Sequence, residues 1–446
     1  MIRTDVVVVG AGASGLAAAR DLSLAGFRVA VLDGRARLGG RIDTEHDPSW
    51  TVPIDLGPEF IHGPAEETLA IVRAARLVAI RLEDAHWKKT GRGWTRQSDF
   101  WAAADRVTNR MRRTGRDRSV ADFLRAHPSL SRNDRDLVRS LVEGYDAAPA
   151  NRVGEHSIAT RGGSGPHDQF RLLSGYDGVA GWLASSGDLE KISFRYETVA
   201  RDVRWGPGRV EVEAVTRRGT ERFAARAAVL TPPVGVWKAV PGDEGAIRLL
   251  PEVASRQRAL ERVDMGTVVK LVLRFREPFW RGAPGAPAGA SPRGETPQLG
   301  FLHDSRAAFP TWWSMEPAEA PILTAWAGGP AAQALSGLPE EELAGRAVET
   351  IARLLGVPRG RVGASLEAWR SHDWQGDPFS RGAYSYLGVG GVPARAVLAR
   401  PVRGTLFFAG EATDREQSGT VAGAISSGRR AARQAVRSLT ERRHRS

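Results

Sequence analysis

Three short runs in this chain have residue types and spacing that can do chemistry. The first is Gly10-Ala-Gly12-Ala13-Ser14-Gly15, which follows the apolar run from Asp5 to Val9 and opens the stretch Leu16 to Ala25. Glycines at these three places allow a tight turn, close backbone approach to a pyrophosphate, and close packing of a helix on a strand. The helix start aims unpaired N–H groups and a favourable dipole at the phosphates. Asp33 closes the next apolar run, Arg28 to Leu32, where a carboxylate can accept hydrogen bonds from ribose hydroxyls. Strand, glycine turn, helix and acid together predict a site for the ADP half of a dinucleotide, without saying which dinucleotide. The second run, Leu38-Gly39-Gly40-Arg41, lets the chain pass close to a pyrophosphate and offers a cation to neutralise it. The third places Lys270 inside the apolar strand-like run from Gly266 to Phe275, where a buried ammonium is costly unless something offsets it. The bland alternative for Lys270 is a strand residue snorkelling to solvent.

Other chemistries lack their residues. Cysteine is absent, which excludes disulfides, thiolate metal sites, a cysteine nucleophile and any cofactor tethered through sulfur. The nine histidines show no metal spacing such as HExxH, so no metal is expected, and neither a GxSxG elbow nor a P-loop is present. His46, His127, His303 and Trp312-Trp313 read as ordinary core or surface residues. The net charge of +12 raises nucleic acid or anionic membrane as partners. Only five of the 63 basic residues are lysine, and the arginines are spread along an Ala- and Gly-rich chain. That pattern reads as codon bias, so nucleic acid is not the favoured partner. The arginine-rich tail from Arg429 to Arg445 reads as a solvated helix end.

The elements that must position these runs follow from periodicity. Continuous apolar strands at the start imply a parallel sheet covered on both faces. From about Ala65 to Leu141 the pattern is mainly helical, and from Lys191 it shifts to short strands such as Val210 to Val215 and Ala227 to Leu230. Arg281 to Pro297 is dense in Pro, Gly and Ala and reads as a surface loop. No internal repeat is found. The expected fold class is α/β: a Rossmann-type cofactor domain built from residues 1–80, 191–237 and 398–446, with an inserted α+β substrate domain of helices and a mixed sheet from 81–190 and 238–397. No stretch reaches the roughly 18 apolar residues of a membrane span, and a charged-then-apolar leader is not seen. A cytoplasmic monomer or homodimer without membrane association is therefore expected.

The combination of GxGxxG, an acid and GGR resembles the flavin-containing amine oxidase superfamily, which binds FAD through it. The family usually has Glu where Asp33 stands. Asp55-Leu-Gly57-Pro58-Glu59-Phe-Ile-His62-Gly63 is similar to the family segment passing over the flavin, and its ending is closest to animal polyamine oxidases. Arg171 to Val179 resembles the stretch entering the substrate domain. Val229-Leu-Thr-Pro232-Pro233 resembles a strand end that contacts FAD. The closing runs Phe407-Phe-Ala-Gly410-Glu411 and Gly419-Thr420-Val421-Ala-Gly423 match the family's flavin-binding end. There the acid binds the ribityl chain and the following helix points its N-terminus at the ring.

The resemblance implies noncovalent FAD, since Ala383 stands where monoamine oxidases carry a flavin-bonded cysteine. It implies that Lys270 holds a water against flavin N5, and that the strand carrying Trp374 reaches both flavin and substrate. Tyr384 matches one wall of the monoamine oxidase aromatic cage while the other wall falls on Thr420. That departure points away from small arylalkyl amines and toward the extended aliphatic amines of polyamine oxidases and flavin-type histone demethylases. Glu59 and His62 are candidate contacts for a cationic chain. The expected reaction is hydride transfer from the α-carbon of a neutral amine, polyamine-like or another aliphatic primary or secondary amine, to N5. The imine then hydrolyses to an aldehyde, and O2 reoxidises the flavin to give H2O2. The alternatives are an L-amino-acid oxidase, a natural-product biosynthetic oxidase or desaturase of the same superfamily, and a basic nucleic-acid-associated flavoprotein.

Overall fold

The computed structural model describes residues 1–91, 93–160, 168–287 and 299–443. Five parallel strands form one sheet in the order Ile192–Arg195, Val29–Leu32, Val6–Val9, Ala227–Leu230, Leu406–Phe408. Three distant stretches of chain thus enter a single sheet. Strand alternation then divides the valines of the central strand between two cores. Val6 and Val8 pack under the helices Ala13–Leu24 and Val421–Arg443, against residues such as Leu16, Ile425 and Ala432. Val7 and Val9 face the antiparallel meander Val199–Gly206, Arg209–Thr216, Gly219–Ala225, against Val203, Val212 and Phe223. The strand order reverses at Val6–Val9, and a crevice beyond the carboxyl ends of the strands is where such sheets take ligands.

A second, seven-stranded sheet runs in the order Leu366–Ser371, Val268–Phe275, Ile322–Gly328, Thr311–Ser314, Phe301–His303, His86–Thr90, Gly93–Arg96, mixed because Phe301–His303 pairs with His86–Thr90 in parallel. Along Val268–Phe275, the odd-numbered residues Val269, Leu271, Leu273 and Phe275 bury against the helix Glu340–Leu355. Lys270 and Val272 therefore point to the opposite face, where Val272 packs with Trp50, Ile54 and Leu56.

One sequence expectation is incomplete. The stretch from Ala65 to Leu141 carries the helices Glu66–Ala74, Phe100–Thr108, Val120–Ala126 and Arg132–Ser140, but also three short strands that the sequence reading left out, Ala79–Arg81, His86–Thr90 and Gly93–Arg96. Ala79–Arg81 and His86–Thr90 pair far along the chain, with Gln169–Leu172 and Phe301–His303, which local pattern cannot supply, while Gly93–Arg96 forms a hairpin with His86–Thr90. The helix Asp177–Ser185 lies in the segment 81–190 that the sequence reading assigned to the substrate domain. Tyr176, Val179, Ala180 and Leu183 join the core around Val6 and Leu16, so the helix Asp177–Ser185 packs with the parallel sheet. Of the Pro- and Gly-rich loop, 281–287 is irregular, and 288–297 lies outside the described residues. Among the described residues, no helix is long and apolar enough to cross a membrane.

Candidate active site

A cavity of about 1740 Å³ runs from the glycine turn to the face of the mixed sheet. Of the residues singled out in the sequence, Gly10, Gly12, Ala13, Ser14, Asp33, Gly39, Gly40, Arg41, Gly57, Pro58, Pro232, Gly410, Glu411, Thr420 and Val421 line it. So do Glu59, His62, Lys270, Trp374 and Tyr384. Gly15 does not; it is buried against the turn. A Cβ there would lie 1.8 Å from the Gly10 carbonyl oxygen, so this glycine seats the helix on the strand. The two glycine motifs touch: the Gly39 amide donates to the Ala11 carbonyl at 2.8 Å, and Gly12 bridges Gly39. The helix Ala13–Leu24 starts at Gly12 without a side-chain cap, which leaves its first N–H groups to the cavity. Asp33 accepts from the Ala11 and Arg35 amides at 2.7 and 2.9 Å. Burial pushes its carboxyl up, against the pull of those two amides.

At the other end of the cradle, Glu411 collects donors from three segments. Arg41 and the Ser385 amide donate to one oxygen at 3.1 and 3.2 Å, and the Ser385 hydroxyl and Gly419 amide to the other at 2.7 and 3.1 Å. Burial raises its carboxyl, but Arg41, Arg395 and Ser385 outweigh that and hold it low, as an anion. Arg41 therefore braces Glu411 and the Ala383 carbonyl, 2.6 Å away, rather than standing free as a phosphate cation. Thr420 accepts from the Gly423 amide at 3.0 Å and donates to the Gln417 carbonyl at 2.7 Å, so it caps the helix Val421–Arg443. Trp374 donates its indole N–H to the Leu56 carbonyl at 3.1 Å, and Tyr384 its hydroxyl to the Tyr145 carbonyl at 2.5 Å. Both offer the cavity a ring whose polar atom is engaged.

Lys270 does not snorkel. It is 4% exposed and sits among acceptors: the Asp55 carbonyl at 2.5 Å, the Gly57 carbonyl at 3.3 Å and the Glu59 carboxylate at 2.8 Å. The other Glu59 oxygen accepts from Arg171 at 2.8 Å and from the Trp313 indole at 3.0 Å. Burial raises Glu59, but Lys270 and Arg171 overcome it and keep the carboxyl ionised. Glu59, expected to meet substrate and cofactor, instead has both oxygens committed to protein groups. Asp55, against the same ammonium, is pushed up to about 7 by burial, partly countered by Lys270, Thr44 and the Tyr176 amide. His62 is pushed down to about 4 by burial, so a neutral imidazole faces the cavity.

The family model described as flavin containing amine oxidoreductase matches residues 13–436. The chain belongs to the flavin-containing amine oxidoreductase family. Among curated relatives, it is 28% identical to probable polyamine oxidase 4 of Arabidopsis thaliana, covering 99% of this chain and 88% of that one. It is also 28% identical to FLOWERING LOCUS D of the same plant, over 99% of this chain but only 56% of that protein's length. The chain thus spans little more than half of some of the relatives it matches. Solved structures share the fold: cyclohexylamine oxidase from Brevibacterium oxydans IH-35A superposes with a TM-score of 0.79 at 20% identity. A putrescine oxidase with bound putrescine gives 0.78 at 20%, each match covering 98% of this chain and 99% of the other.

For a member of this family, the cofactor is FAD, and the cradle fits it. A glycine turn with no room for a Cβ at Gly10 or Gly15, uncapped N–H groups, a buried acid at a strand end and the anionic Glu411 match a pyrophosphate, a ribose and a ribityl chain in turn. Sequence reasoning missed part of this amine oxidoreductase's site. Thr231, whose hydroxyl donates to the Val9 carbonyl at 2.7 Å, lines the cavity under Gly10. Trp313 and His303, read as ordinary residues, line it too, with His86, Trp101 and Tyr145. Burial and the neighbouring His86 hold His303 well below the usual imidazole range. No spacing signal marks these residues, since they come from four separate segments. The arginine tail is solvated only in part: Arg433 and Arg437 are exposed, other members are bound to protein groups, and Arg445 lies outside the described residues. Arg429 pairs with Glu67, Arg430 with the Phe408 and Thr413 carbonyls, and Arg442 with the Arg403 carbonyl. These cations tie the last helix to the helix Glu66–Ala74, to the strand Leu406–Phe408 and to the turn before that strand.

Proposed function

We propose that this protein oxidises an aliphatic primary or secondary amine, polyamine-like amines included, at the carbon next to nitrogen. The observation that carries the reading is that the buried Lys270 cluster faces the same cavity as the dinucleotide cradle. FAD, when bound, supplies the two-electron acceptor for the C–H bond beside nitrogen, and dioxygen returns it to the oxidised form with hydrogen peroxide as product. The chain's own residues bind, orient and keep water out. Lys270 clamps the backbone of Asp55 and Gly57 to the mixed sheet. Its 3.3 Å bond to the Gly57 carbonyl is the weakest of the three and the one that would yield to a water molecule. His62, neutral at physiological pH, can accept a hydrogen bond from an amine N–H without repelling a cation. Tyr384 and Trp374 supply flat walls beside the reacting carbon.

The test is anaerobic bleaching of the purified flavoprotein with spermine, N-acetylspermine, putrescine, phenylethylamine, tyramine and common L-amino acids. Bleaching by one or more amines is the expected result. Reduction by amino acids alone would replace this reading with an amino-acid oxidase, and bleaching by nothing would overturn it.

A further inference from the structure

One wall of the cavity is the loop from His372 to Tyr384, which follows the strand Leu366–Ser371 and brings Trp374, Phe379 and Tyr384 to the lining. Its far end is anchored on the side of the mixed sheet. There the Ala383 amide donates to the Gly266 carbonyl at 2.9 Å, and Tyr384 reaches the Tyr145 carbonyl at the end of the π-helical turn Leu141–Tyr145. Its middle, Asp377 to Arg381, packs on the cofactor side instead. A Cβ on Gly34 would lie 2.5 Å from the Phe379 ring, and one on Gly245 2.5 Å from the Pro378 carbonyl oxygen. Gly34 directly follows Asp33, so the loop rests on the strand end that carries the ribose acid.

An ion pair ties the two sides together. One Arg35 nitrogen lies 2.7 and 2.8 Å from the two Asp377 oxygens, joining segments 342 residues apart. At 13% and 8% exposure, either partner left alone would be a largely buried charge without its counter-ion. Arg35 also donates its amide to Asp33 at 2.9 Å, so one residue holds the ribose acid through its backbone and Asp377 through its side chain. From Asp377 the contacts run on to the wall. His372 Nε2 shares a hydrogen bond with an Asp377 oxygen at 2.9 Å, and the His372 ring lies against Trp374, 4.0 Å between centroids. The Asp377 carbonyl accepts from the Ser380 and Arg381 amides at 3.1 and 2.8 Å, and the Gly382 amide closes the loop on the Trp374 carbonyl at 2.7 Å.

Burial raises the Asp377 carboxyl, but His372, Arg35 and the Phe379 amide outweigh that and hold it at about 2, so the pair is charged at neutral pH. The neighbouring cations do not compete for it: Arg37 pairs with Asp43 at 2.8 Å and Arg381 with Asp243 at 3.3 Å. Neither Asp377 nor His372 lines the cavity, so each acts on it only through Arg35 and Trp374, which do. An ion pair that merely held the fold could sit anywhere between the two segments. This one starts at the residue bonded to Asp33 and ends one ring away from Trp374.

We infer that Arg35 and Asp377 are positioning residues that couple the ADP end of the cofactor cradle to the wall carrying Trp374 and Tyr384, so that seating the cofactor sets the reacting end. The inference concerns the FAD site and does not depend on which amine is oxidised. Coupling of this kind is reciprocal, so loosening the latch is read at both ends. The test uses the FAD-loaded protein. Asp377→Asn keeps the shape and loses the charge, and it should speed amide hydrogen exchange across residues 374–384 at least about tenfold. It should also speed FAD release on dilution, read as recovered flavin fluorescence, by about tenfold. Exchange in the helix Glu340–Leu355, on the far face of the mixed sheet, should not change. The deciding comparison is the double-mutant cycle with Arg35→Met: once Arg35 is gone, Asp377→Asn should add less than about twofold to either readout. Arg35→Lys keeps the charge without the rigid guanidinium and should give effects of about threefold in the same direction, which keeps the test open if Asp377→Asn fails to fold. Three results would overturn the inference: unchanged exchange and FAD release in a folded Asp377→Asn protein, faster exchange spread equally over Glu340–Leu355, or additive effects in the double variant. Bleaching of the wild type by no amine would remove the oxidase reading, and exchange and FAD release would still decide the latch.

Discussion

The two ends of the cavity are made of different material. The cradle is mostly backbone: a glycine turn, the start of a helix and a second glycine pair, nearly all within the first forty-one residues. The reacting end is side chains. Lys270, Glu59, Arg171 and Trp313 meet from four separate segments. Backbone sites are specified by glycine spacing, because a Cβ in the wrong place is a collision. Side-chain sites are specified by which strands happen to face each other. The first kind tolerates almost no local change, while the second should lose function in graded steps.

The largest effect expected from this contrast is at Gly15. Gly15→Ala puts a Cβ 1.8 Å from a backbone carbonyl that has nowhere to go, so the protein should emerge without visible flavin absorbance and with lowered stability. Gly360→Ala is the matched control. It lies in the helix Arg359–Ser365 with nothing within 4 Å of the added carbon, and it should keep full flavin content. A Gly15→Ala protein that retains FAD would show that the turn is adaptable and the contrast false.

Next comes the side-chain end. Lys270→Met should keep FAD bound and slow flavin reduction or reoxidation at least about tenfold, which is roughly 1.4 kcal/mol of barrier. Stopped-flow traces on the loaded variant give both numbers. Wild-type rates would reduce Lys270 to a clamp for the Asp55–Gly57 backbone. Glu59→Gln sharpens the same point, because it leaves Lys270 and Arg171 close together without their shared anion. Breaking a buried pair from one side costs about 3–5 kcal/mol, so this variant should lose stability before it loses flavin.

These expectations also show where the sequence stops being informative. Gly10 to Gly15, Asp33 and Gly39-Gly40-Arg41 are legible because their partners lie within a few tens of residues and glycine geometry is local. Lys270 is half legible: an ammonium in an apolar strand must have partners, and alternation says which face it takes, but not that Glu59 and Arg171 wait there. The Arg41–Glu411 pair spans 370 residues and could be expected only through resemblance. The parallel pairing of His86–Thr90 with Phe301–His303, the π-helical turn and the docking of Asp177–Ser185 on the parallel sheet left no local signal. Each depends on a surface assembled elsewhere in the chain.

A smaller effect is expected from pH. Asp55 is pushed up to about 7 from an ordinary value near 3.8. Between those values the unfolded chain releases this proton while the folded chain keeps it, so stability falls as pH rises from about 4 to about 7. The ceiling on that loss is about 4 kcal/mol, and water penetration will leave less. Asp55→Asn keeps an oxygen for the Thr44 hydroxyl and the Tyr176 amide but cannot ionise. Urea unfolding midpoints at pH 5 and pH 8 should differ less in Asp55→Asn than in the wild type. An unchanged difference would mean that Lys270 already holds Asp55 as an anion at pH 5.

The smallest effect separates lining a site from acting in it. Thr420 borders the cavity where the resemblance puts a cage wall, yet its hydroxyl is engaged at the helix start, accepting from the Gly423 amide and donating to the Gln417 carbonyl. Thr420→Ala should therefore cost about 1 kcal/mol of stability, as loss of an N-cap does, with Thr420→Ser recovering most of it. KM for any amine that bleaches the flavin should move by less than about twofold, since the methyl removed is small against the rings of Tyr384 and Trp374 on the cavity wall. If KM rises several-fold with stability unchanged, Thr420 belongs to the substrate after all. The cavity's two ends would then meet on a residue that serves the cofactor's helix and the amine together.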